Sequence, residues 1–265
     1  MRKLFTSSIV LAAVLTGCAA TSPGPTTAGS ATEPPRLRPE VAEVLPHDTT
    51  AFTEGLELVG TTLYEGTGLS GKSVVQAGPP GKAPVVRASL PAPLFGEGIT
   101  VLGPTLWELT WQDGIAIERD TATLAEKRRV TYVGEGWGLC HQPTRERLVM
   151  SDGTDRLTFR DPRTFAETGS VAVRSAGRPV TRINELECVG DDVYANVWQT
   201  DTILRIDSAT GVVTATIDAS GLLSAGELAR ADVLNGIAAV PGTDQFLLTG
   251  KLWPKLFKVK FVPSD

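Results

Sequence analysis

The chain has 265 residues, of which 42% are hydrophobic and 21% are charged, with 27 glycines and 18 prolines. This composition is too apolar for a disordered chain and lacks a collagen period, so it predicts a globular protein. A net charge of -5 excludes an extended basic surface for nucleic acid. The chain has only two histidines and three widely spaced cysteines, too few for a structural zinc site.

The first 17 residues have the pattern of a bacterial lipoprotein signal. Two basic residues precede an apolar run over residues 9–15, which is too short to span a bilayer as a mature helix. The run leads into Leu-Thr-Gly-Cys. We interpret residues 1–17 as a signal peptide and Cys18 as the lipidated first residue of the mature chain; a plain secretory signal is the alternative. Both interpretations predict an exported protein, and the first anchors it by its lipid to a bacterial membrane, facing the periplasm or the cell exterior.

Residues 18–35 are rich in serine, threonine, proline, glycine and alanine and have no hydrophobic period. This composition is typical of a flexible tether. We therefore expect the folded domain to occupy residues 36–265. The best helical periodicity in that domain covers residues 222–234, which predicts one short helix.

The rest of the domain reads as short strands separated by turns, and it contains an internal repeat. Five segments share an apolar strand, a turn, a second strand and a closing polar or aromatic residue. The repeat begins at Gly55, Gly98, Gly138, Glu185 and Gly236. A period near 45 residues with four short strands per unit is typical of β-propeller blades. Five blades of about 46 residues fill the domain, so we predict an all-β, five-bladed β-propeller.

The repeat also predicts where functional side chains converge. In a propeller, the starts of the innermost strands and the ends of the second strands meet on one face, around the central channel. The first group contains Glu54, Glu97, Trp137, Asn184 and Asn235, and the second contains Glu65, Trp111, Asp152, Trp198 and Lys251. Tryptophan at such a rim is costly unless it binds something. We therefore predict a binding funnel, with solvated loop residues or hydrogen-bonding core residues as the alternative.

These residue types suit acyl transfer at an amide without a covalent intermediate. A carboxyl group between tryptophans has a raised pKa and can exchange a proton near neutral pH. Lysine and asparagine can hydrogen-bond an oxygen that gains negative charge. The sequence contains no Gly-x-Ser-x-Gly elbow, and Cys140 lies in an apolar strand that favours a buried structural thiol.

Nine phrases along the chain resemble the zinc-independent glutaminyl-peptide cyclotransferases, the glutaminyl cyclases of plant and bacterial type. They are PHDTTAFTEGLEL, YEGTGLSGKS, FGEGIT, LTWQDG, GEGWGL, INELE, ANVWQTD, VLNGIA and TGKLWPKLF, in the family's order over residues 44–262. The resemblance implies a five-bladed propeller that converts the N-terminal glutaminyl residue of a peptide into pyroglutamate and releases ammonia. It implies peptide substrates and no cofactor or metal, and we expect a monomer.

The resemblance also implies roles for individual residues. The family's catalytic carboxylate falls on Glu97 of FGEGIT, as general acid and base, and Asn184 and Lys251 would steady the amide oxygen. The substrate-binding positions fall on Phe52, Glu54, Phe95, Trp111, Trp137 and Trp198. Glu54 is a departure, because many members have glutamine there. A second carboxylate would raise one pKa by like-charge coupling, or it would pair with Lys251.

Two other functions remain open on the residues alone. Carboxylates and asparagines around a channel are ligands that Ca²⁺ prefers, which would suit a calcium-dependent lactonase-like hydrolase. A propeller that binds a partner without catalysis is the other alternative.

The two cysteines of the domain, Cys140 and Cys188, leave a disulfide open. An exported protein permits the bond. Aligned on Leu139 and Leu186, however, they lie one and two places onward, on opposite faces of equivalent strands, which disfavours it unless a bulge intervenes. We expect the two histidines, His47 and His141, in turns or at the rim rather than as metal ligands.

Overall fold

The computed structural model describes residues 32–264. The predicted signal peptide, Cys18 and most of the predicted tether lie outside the described residues. The regular secondary structure of the described chain is almost entirely β-strand, which confirms the all-β prediction. No helix within residues 32–264 is long and apolar enough to cross a membrane.

Strand β1 (Arg36–Pro46) is followed by three antiparallel sheets of four strands each. The first sheet contains β2 (Thr53–Val59), β3 (Thr62–Thr67), β4 (Val74–Gly78) and β5 (Val86–Ser89). The second contains β6 (Gly96–Leu102), β7 (Thr105–Thr110), β8 (Ile115–Asp120) and β9 (Glu126–Thr131). The third contains β10 (Leu139–Gln142), β11 (Arg147–Met150), β12 (Arg156–Arg160) and β13 (Glu167–Ala172), with a 3-10 turn at Pro143–Arg145.

The remaining strands belong to a two-residue ladder and an eight-stranded sheet. The ladder is formed by β14 (Arg174–Ser175) and β15 (Arg178–Pro179). The large sheet contains β16 (Ile183–Val189), β17 (Asp192–Val197), β18 (Thr202–Asp207), β19 (Val213–Asp218), β20 (Leu234–Ala239), β21 (Gln245–Gly250) and β22 (Lys255–Pro263). Its order is β16-β17-β18-β19-β1-β22-β21-β20. It therefore consists of two sets of four strands, and β1 supplies the outer strand of the second set.

Strand β1 joins the two ends of the described chain. It pairs antiparallel with β22 from Leu37 opposite Pro263 to Pro46 opposite Lys255. At its start it also pairs in parallel with β19, where Arg36 lies opposite Thr216. The sheet that β20, β21 and β22 begin is therefore completed by the strand at the other end of the chain.

The predicted helix is much shorter than its periodicity indicated. Only α1 (Ala225–Leu228) forms, with Ser224 and Glu227 in a capping box at its start. The chain beyond it pairs with a distant segment, because Asp232 donates its backbone N–H to Lys251 and Lys251 donates its own to Val233. This tertiary pairing replaces the helical hydrogen bonds that the pattern predicted.

The repeat glycines lie where the first strands of neighbouring sheets approach most closely. A Cβ on three of these glycines would come within 2.1 to 2.6 Å of backbone atoms of the next sheet or its leading segment: Gly55 against Ile99, Gly98 against Trp137, and Gly138 against Asn184. Only glycine fits such a contact. The fourth position differs, because Glu185 extends its carboxylate to the backbone N–H groups of Leu56 and Ile237, at 3.2 and 2.8 Å.

Cys140 and Cys188 form a disulfide with a Cα–Cα distance of 5.4 Å. The expectation from the strand faces was therefore wrong, and its reason lies in how the sheets pack. The two strands belong to neighbouring sheets that stack face to face, so Leu139 and Leu186, at equivalent positions, both face their preceding sheet. Cys140 faces the following sheet and meets Cys188 facing back. A disulfide between two stacked sheets requires one cysteine on the face toward the following sheet and the other on the face toward the preceding sheet.

Candidate active site

The nine predicted site residues line one cavity of about 320 Å³. They are Phe52, Glu54, Phe95, Glu97, Trp111, Trp137, Asn184, Trp198 and Lys251. The cavity lies where the first strands begin and the second strands end. Three residues that the sequence analysis did not select, Gln199, Asp232 and Val233, also line it.

Three of the ten residues that the repeat placed in the funnel do not line this cavity. Asn235 lies behind it and donates to the backbone oxygen of Thr53 at 2.9 Å and to Glu54 at 3.3 Å. Asp152 caps a turn by accepting the backbone N–H of Thr154. Glu65 lies in a separate cavity.

Glu65 and Asp152 were placed wrongly because the ends of their second strands, β3 and β11, were assigned to the wrong residues. Trp111, Trp198 and Lys251 each directly follow the last residue of a second strand. The positions in that phase in the other two repeats are Gly68, after β3, and Ser151, after β11. Glu65 lies inside β3 and Asp152 lies one residue too far along.

The centre of the cavity holds two carboxyl groups and one ammonium group. Lys251 Nζ lies 2.7 Å from both carboxylate oxygens of Glu54 and 4.6 Å from the centre of the Phe52 ring. Glu54 is 1% exposed and Glu97 is 6% exposed. Lysine therefore pairs with the residue that departs from the family pattern, as one of the two expectations for Glu54 required.

Burial and like charge set the protonation of the two carboxyl groups. Burial raises the pKa of Glu54 to about 7, although the Lys251 charge and hydrogen bond oppose the shift. Burial and then the charge of Glu54 hold the pKa of Glu97 well above its usual range. Burial and like charge thus favour the protonated form of Glu97, beside a partner that is partly ionised at neutral pH.

Asn184 lines the cavity and carries a buried polar atom without a partner. The residue is 3% exposed, and its carbonyl oxygen, itself closed to solvent, has no hydrogen-bond partner among the described residues. A buried polar atom without a partner is costly unless a ligand satisfies it. Rotation of the side chain toward the cavity would let a substrate N–H group satisfy this oxygen.

The cavity has two groups of aromatic side chains. In one group, Phe95 packs edge-on against Phe52, with 6.3 Å between ring centres, and at a tilt against Trp111, with 5.6 Å between ring centres. In the other, Trp137 packs edge-on against Trp198 at 5.5 Å. The Trp137 ring lies against Gly153, where a Cβ would come within 2.7 Å of it. These rings exclude water from the carboxyl groups and surround a small, weakly polar ligand.

Comparison with known proteins decides the family. The sequence profile described as glutamine cyclotransferase matches residues 9–261. The chain belongs to the glutamine cyclotransferase family. A glutaminyl-peptide cyclotransferase of Arabidopsis thaliana is 39% identical over 229 residues, which cover 83% of this chain and 70% of the relative. The crystal structure of Myxococcus xanthus glutaminyl cyclase aligns with a TM-score of 0.78 at 39% identity, covering 88% of this chain and all of the other.

A further residue, next to the cavity, also escaped the sequence analysis. Glu135 accepts the indole N–H groups of both Trp111 and Trp137, at 2.8 and 2.9 Å. It lies two residues before Trp137 in GEGWGL, so the motif contained it. Repeat phase did not select it because it lies in the loop before β10.

The cavity that contains Glu65 has a volume of about 330 Å³ and a different electrostatic character. His47 Nε2 lies 3.0 Å from Glu65, and its Nδ1 lies 2.8 Å from the backbone oxygen of Trp253. Thr53 and Gln76 also donate to Glu65, at 2.7 and 2.8 Å. Burial opposes the charged forms, but the hydrogen bonds outweigh it, so the pKa of Glu65 is lowered and that of His47 is raised.

The expectation of turn or rim positions is right for one histidine and wrong for the other. His47 lies in the loop that follows β1, although its side chain is buried in an ion pair. His141 lies within β10 rather than in a turn. Among the described residues, no three His, Cys, Asp or Glu side chains group as they would around a metal ion.

Proposed function

We propose that this enzyme is a glutaminyl-peptide cyclotransferase that converts N-terminal glutaminyl residues of peptides into pyroglutamate and releases ammonia. The observation that carries the proposal is the buried Glu54, Glu97 and Lys251 cluster between two groups of aromatic rings. The family membership and the 39% identity to a curated cyclotransferase support it.

We also propose that the domain is a five-bladed β-propeller. Three four-stranded sheets and two four-stranded sets of the large sheet supply the blades. The close contacts at Gly55, Gly98 and Gly138 support a ring of five innermost strands. So do the hydrogen bonds of Glu185, which accepts from Ile237 of the following innermost strand, β20, and from Leu56 of the more distant β2.

The reaction needs one proton to move from the attacking nitrogen to the leaving nitrogen. The neutral α-amine attacks the γ-carboxamide carbon, a C–N bond forms, and the bond to the amide nitrogen breaks. Glu97 gives a proton to the leaving nitrogen and recovers one from the attacking amine, so each turnover leaves it unchanged. The raised pKa of Glu97 keeps that proton available near neutral pH.

Two further side chains stabilise the reacting carboxamide. Lys251 directs its ammonium group toward Glu54 and lines the cavity, so its remaining N–H can bind the oxygen that becomes anionic. Asn184 accepts a substrate N–H with its unpartnered carbonyl oxygen. The ring that closes has five members and its reacting groups share one residue, so the enzyme mainly orients them.

Glu97→Gln tests the assignment directly. Ammonia release from a Gln-initiated peptide should fall by at least about 100-fold, as expected for loss of a general acid and base. The thermal stability of the variant should not fall, because glutamine removes a carboxyl group whose raised pKa opposes folding at neutral pH. Near-normal turnover by Glu97→Gln would contradict the assignment.

Glu187→Gln is the matched control. Glu187 is also buried with a pKa well above its usual range, but it hydrogen-bonds the backbone of Ala239 and does not line the cavity. Its replacement should leave turnover intact. Turnover that survives a chelator would separate the cyclotransferase from the calcium-dependent lactonase-like hydrolase, and turnover itself would separate it from a binding propeller.

We propose that the protein is an exported monomer anchored through a lipid on Cys18. The disulfide between Cys140 and Cys188 supports an oxidising compartment. Cys18→Ala should move the protein from the membrane fraction to the soluble fraction of the exported proteins, and retention in the membrane would contradict the anchor.

A further inference from the structure

We propose that Glu135 is a positioning residue, which holds Trp111 and Trp137 in the binding-competent arrangement before substrate arrives. The proposal deepens the proposed function and rests on it. Glu135 does not line the cavity, so it would act through the two indoles rather than on the reacting atoms.

The hydrogen bonds of Glu135 divide cleanly between its two oxygens. Oε2 accepts both indole N–H groups, from Trp111 at 2.8 Å and from Trp137 at 2.9 Å. Oε1 accepts the side-chain N–H of Gln112 at 2.9 Å. A single oxygen atom therefore joins one indole from each of the two aromatic groups.

The two indoles come from different sheets. Trp111 directly follows β7 of the second sheet, and Trp137 precedes β10 of the third. Apart from Glu135, each ring meets the rest of its own aromatic group: Phe95 for Trp111, and Trp198 for Trp137. The carboxylate thus fixes the relative position of the two groups, which the ring contacts within each group do not fix.

The hydrogen bond to Glu135 restrains Trp111 more than it restrains Trp137. Its side chain is 37% exposed, so packing alone restrains it weakly. A side chain that is mobile in the free enzyme must be ordered when substrate binds, which weakens binding by about 2- to 10-fold for each such side chain. Holding both indoles in advance removes that cost, and the effect falls on substrate binding more than on the chemical step.

Glu135 is ionised at neutral pH. Burial opposes the charge, but the hydrogen bonds from Trp137, Gln112 and Trp111 outweigh it and hold the pKa of Glu135 below its usual range. Its charge also acts on Glu97. A test must therefore separate the geometry that Glu135 imposes from the charge that it carries.

Two variants make that separation. Glu135→Ala removes the hydrogen bonds and the charge. Glu135→Gln removes the charge but keeps one carbonyl oxygen, which can still accept both indole N–H groups. Its amide nitrogen then faces Gln112, whose side-chain amide can turn to present its own oxygen. Gln112→Ala is the matched control, because it removes a hydrogen bond to Oε1 and leaves both indole contacts in place.

Steady-state kinetics on a Gln-initiated peptide give the first measurement. Glu135→Ala should raise KM by about 10-fold, within the range for two indoles that must be ordered on binding, and should change kcat less. Glu135→Gln and Gln112→Ala should keep KM within about 3-fold of the wild type. Unchanged KM in Glu135→Ala would overturn the proposal, and so would a KM in Glu135→Gln as high as in Glu135→Ala.

Quenching of tryptophan fluorescence by acrylamide gives a measurement that does not depend on turnover. Glu135→Ala should increase quenching relative to the wild type, because its indoles are less restrained. Glu135→Gln should be quenched as little as the wild type. If no form releases ammonia but quenching follows this order, the proposed function fails and the positioning role stands. If quenching is equal in all four proteins, the positioning role is overturned whatever the activity.

Discussion

Two neighbouring residues, Thr53 and Glu54, belong to two buried carboxyl clusters in which the carboxyl pKa values shift in opposite directions. Thr53 donates to Glu65, whose pKa is lowered, while its neighbour Glu54 lies beside Glu97, and both have raised pKa values. All three side chains are buried. The difference lies in their partners: Glu65 receives three side-chain hydrogen bonds, whereas Glu97 faces another carboxylate.

This difference separates a carboxylate that holds the fold from one that can exchange a proton. Full satisfaction by donors fixes the charged state of Glu65 and makes it a poor acid or base. Burial and the like charge of Glu54 raise the pKa of Glu97 and favour its protonated form, which leaves it able to exchange a proton. Burial alone therefore does not identify a catalytic carboxyl group.

The structural cluster should respond to substitution by loss of stability. Glu65→Gln should lower the free energy of unfolding by about 1.5 to 3 kcal/mol near pH 5.5, because it removes the ionised acceptor of the hydrogen bonds from His47, Thr53 and Gln76. The wild-type advantage should be greatest between the ordinary pKa values of the two groups, about 4.5 and 6.5. It should decline as falling pH protonates Glu65 and as rising pH deprotonates His47.

Denaturant unfolding at several pH values measures this effect, and ammonia release from the folded variant provides the comparison with Glu97→Gln. The folded Glu65→Gln protein should keep most of its turnover. A variant as stable as the wild type at pH 5.5 would show that the pair does not support the fold.

The cluster of Glu54, Glu97 and Lys251, which we propose to be catalytic, should respond to substitution by loss of rate. Lys251→Ala should reduce kcat by roughly 10- to 1000-fold, the range for removal of one donor to a developing anion. Lys251→Met keeps an unbranched chain over Phe52 and removes only the charge. Equal losses in the two variants would assign the effect to charge, and wild-type rates in both would contradict the role of Lys251.

The smallest expected effect concerns Glu54. Glu54→Gln removes the like charge that raises the pKa of Glu97, and it leaves Lys251 without its carboxylate partner. Both changes lower the pKa of Glu97, so the limb of the kcat profile that reports this group should move to lower pH. The pH profile of ammonia release measures the shift, with Glu187→Gln as a variant that should not show it.

The cavity could be predicted because residues at equivalent positions of the repeat lie at equivalent places in the structure. Residues that directly follow the second strands, such as Trp111, Trp198 and Lys251, meet at the cavity because equivalent strands end at equivalent heights. Glu65 was misplaced because the sequence analysis took a polar residue to mark the end of β3. The strand in fact continues to Thr67, as its register with β2 requires. An exact strand end depends on bulges, such as the one between Thr53 and Gly55, which sequence patterns do not show.

Other features depend on contacts between sheets and lie beyond strand patterns. The disulfide was disfavoured because Cys140 and Cys188 were compared as if they lay in one sheet. The pairing of β1 with β22, and the contact of Glu135 with two indoles from different sheets, have no periodic signature. What the sequence cannot show is which face of one sheet meets its neighbour.

The position of β1 has a consequence for how the molecule is made. A growing chain produces β1 before, and β22 after, every other strand of this domain, so the closing pair is the last long-range contact of the domain that synthesis allows. Until then β1 lacks its antiparallel neighbour, and the last set of strands lacks its outer member. Completion of the domain therefore waits for β22, and a product truncated before β22 would present an unpaired edge strand to degradation or aggregation.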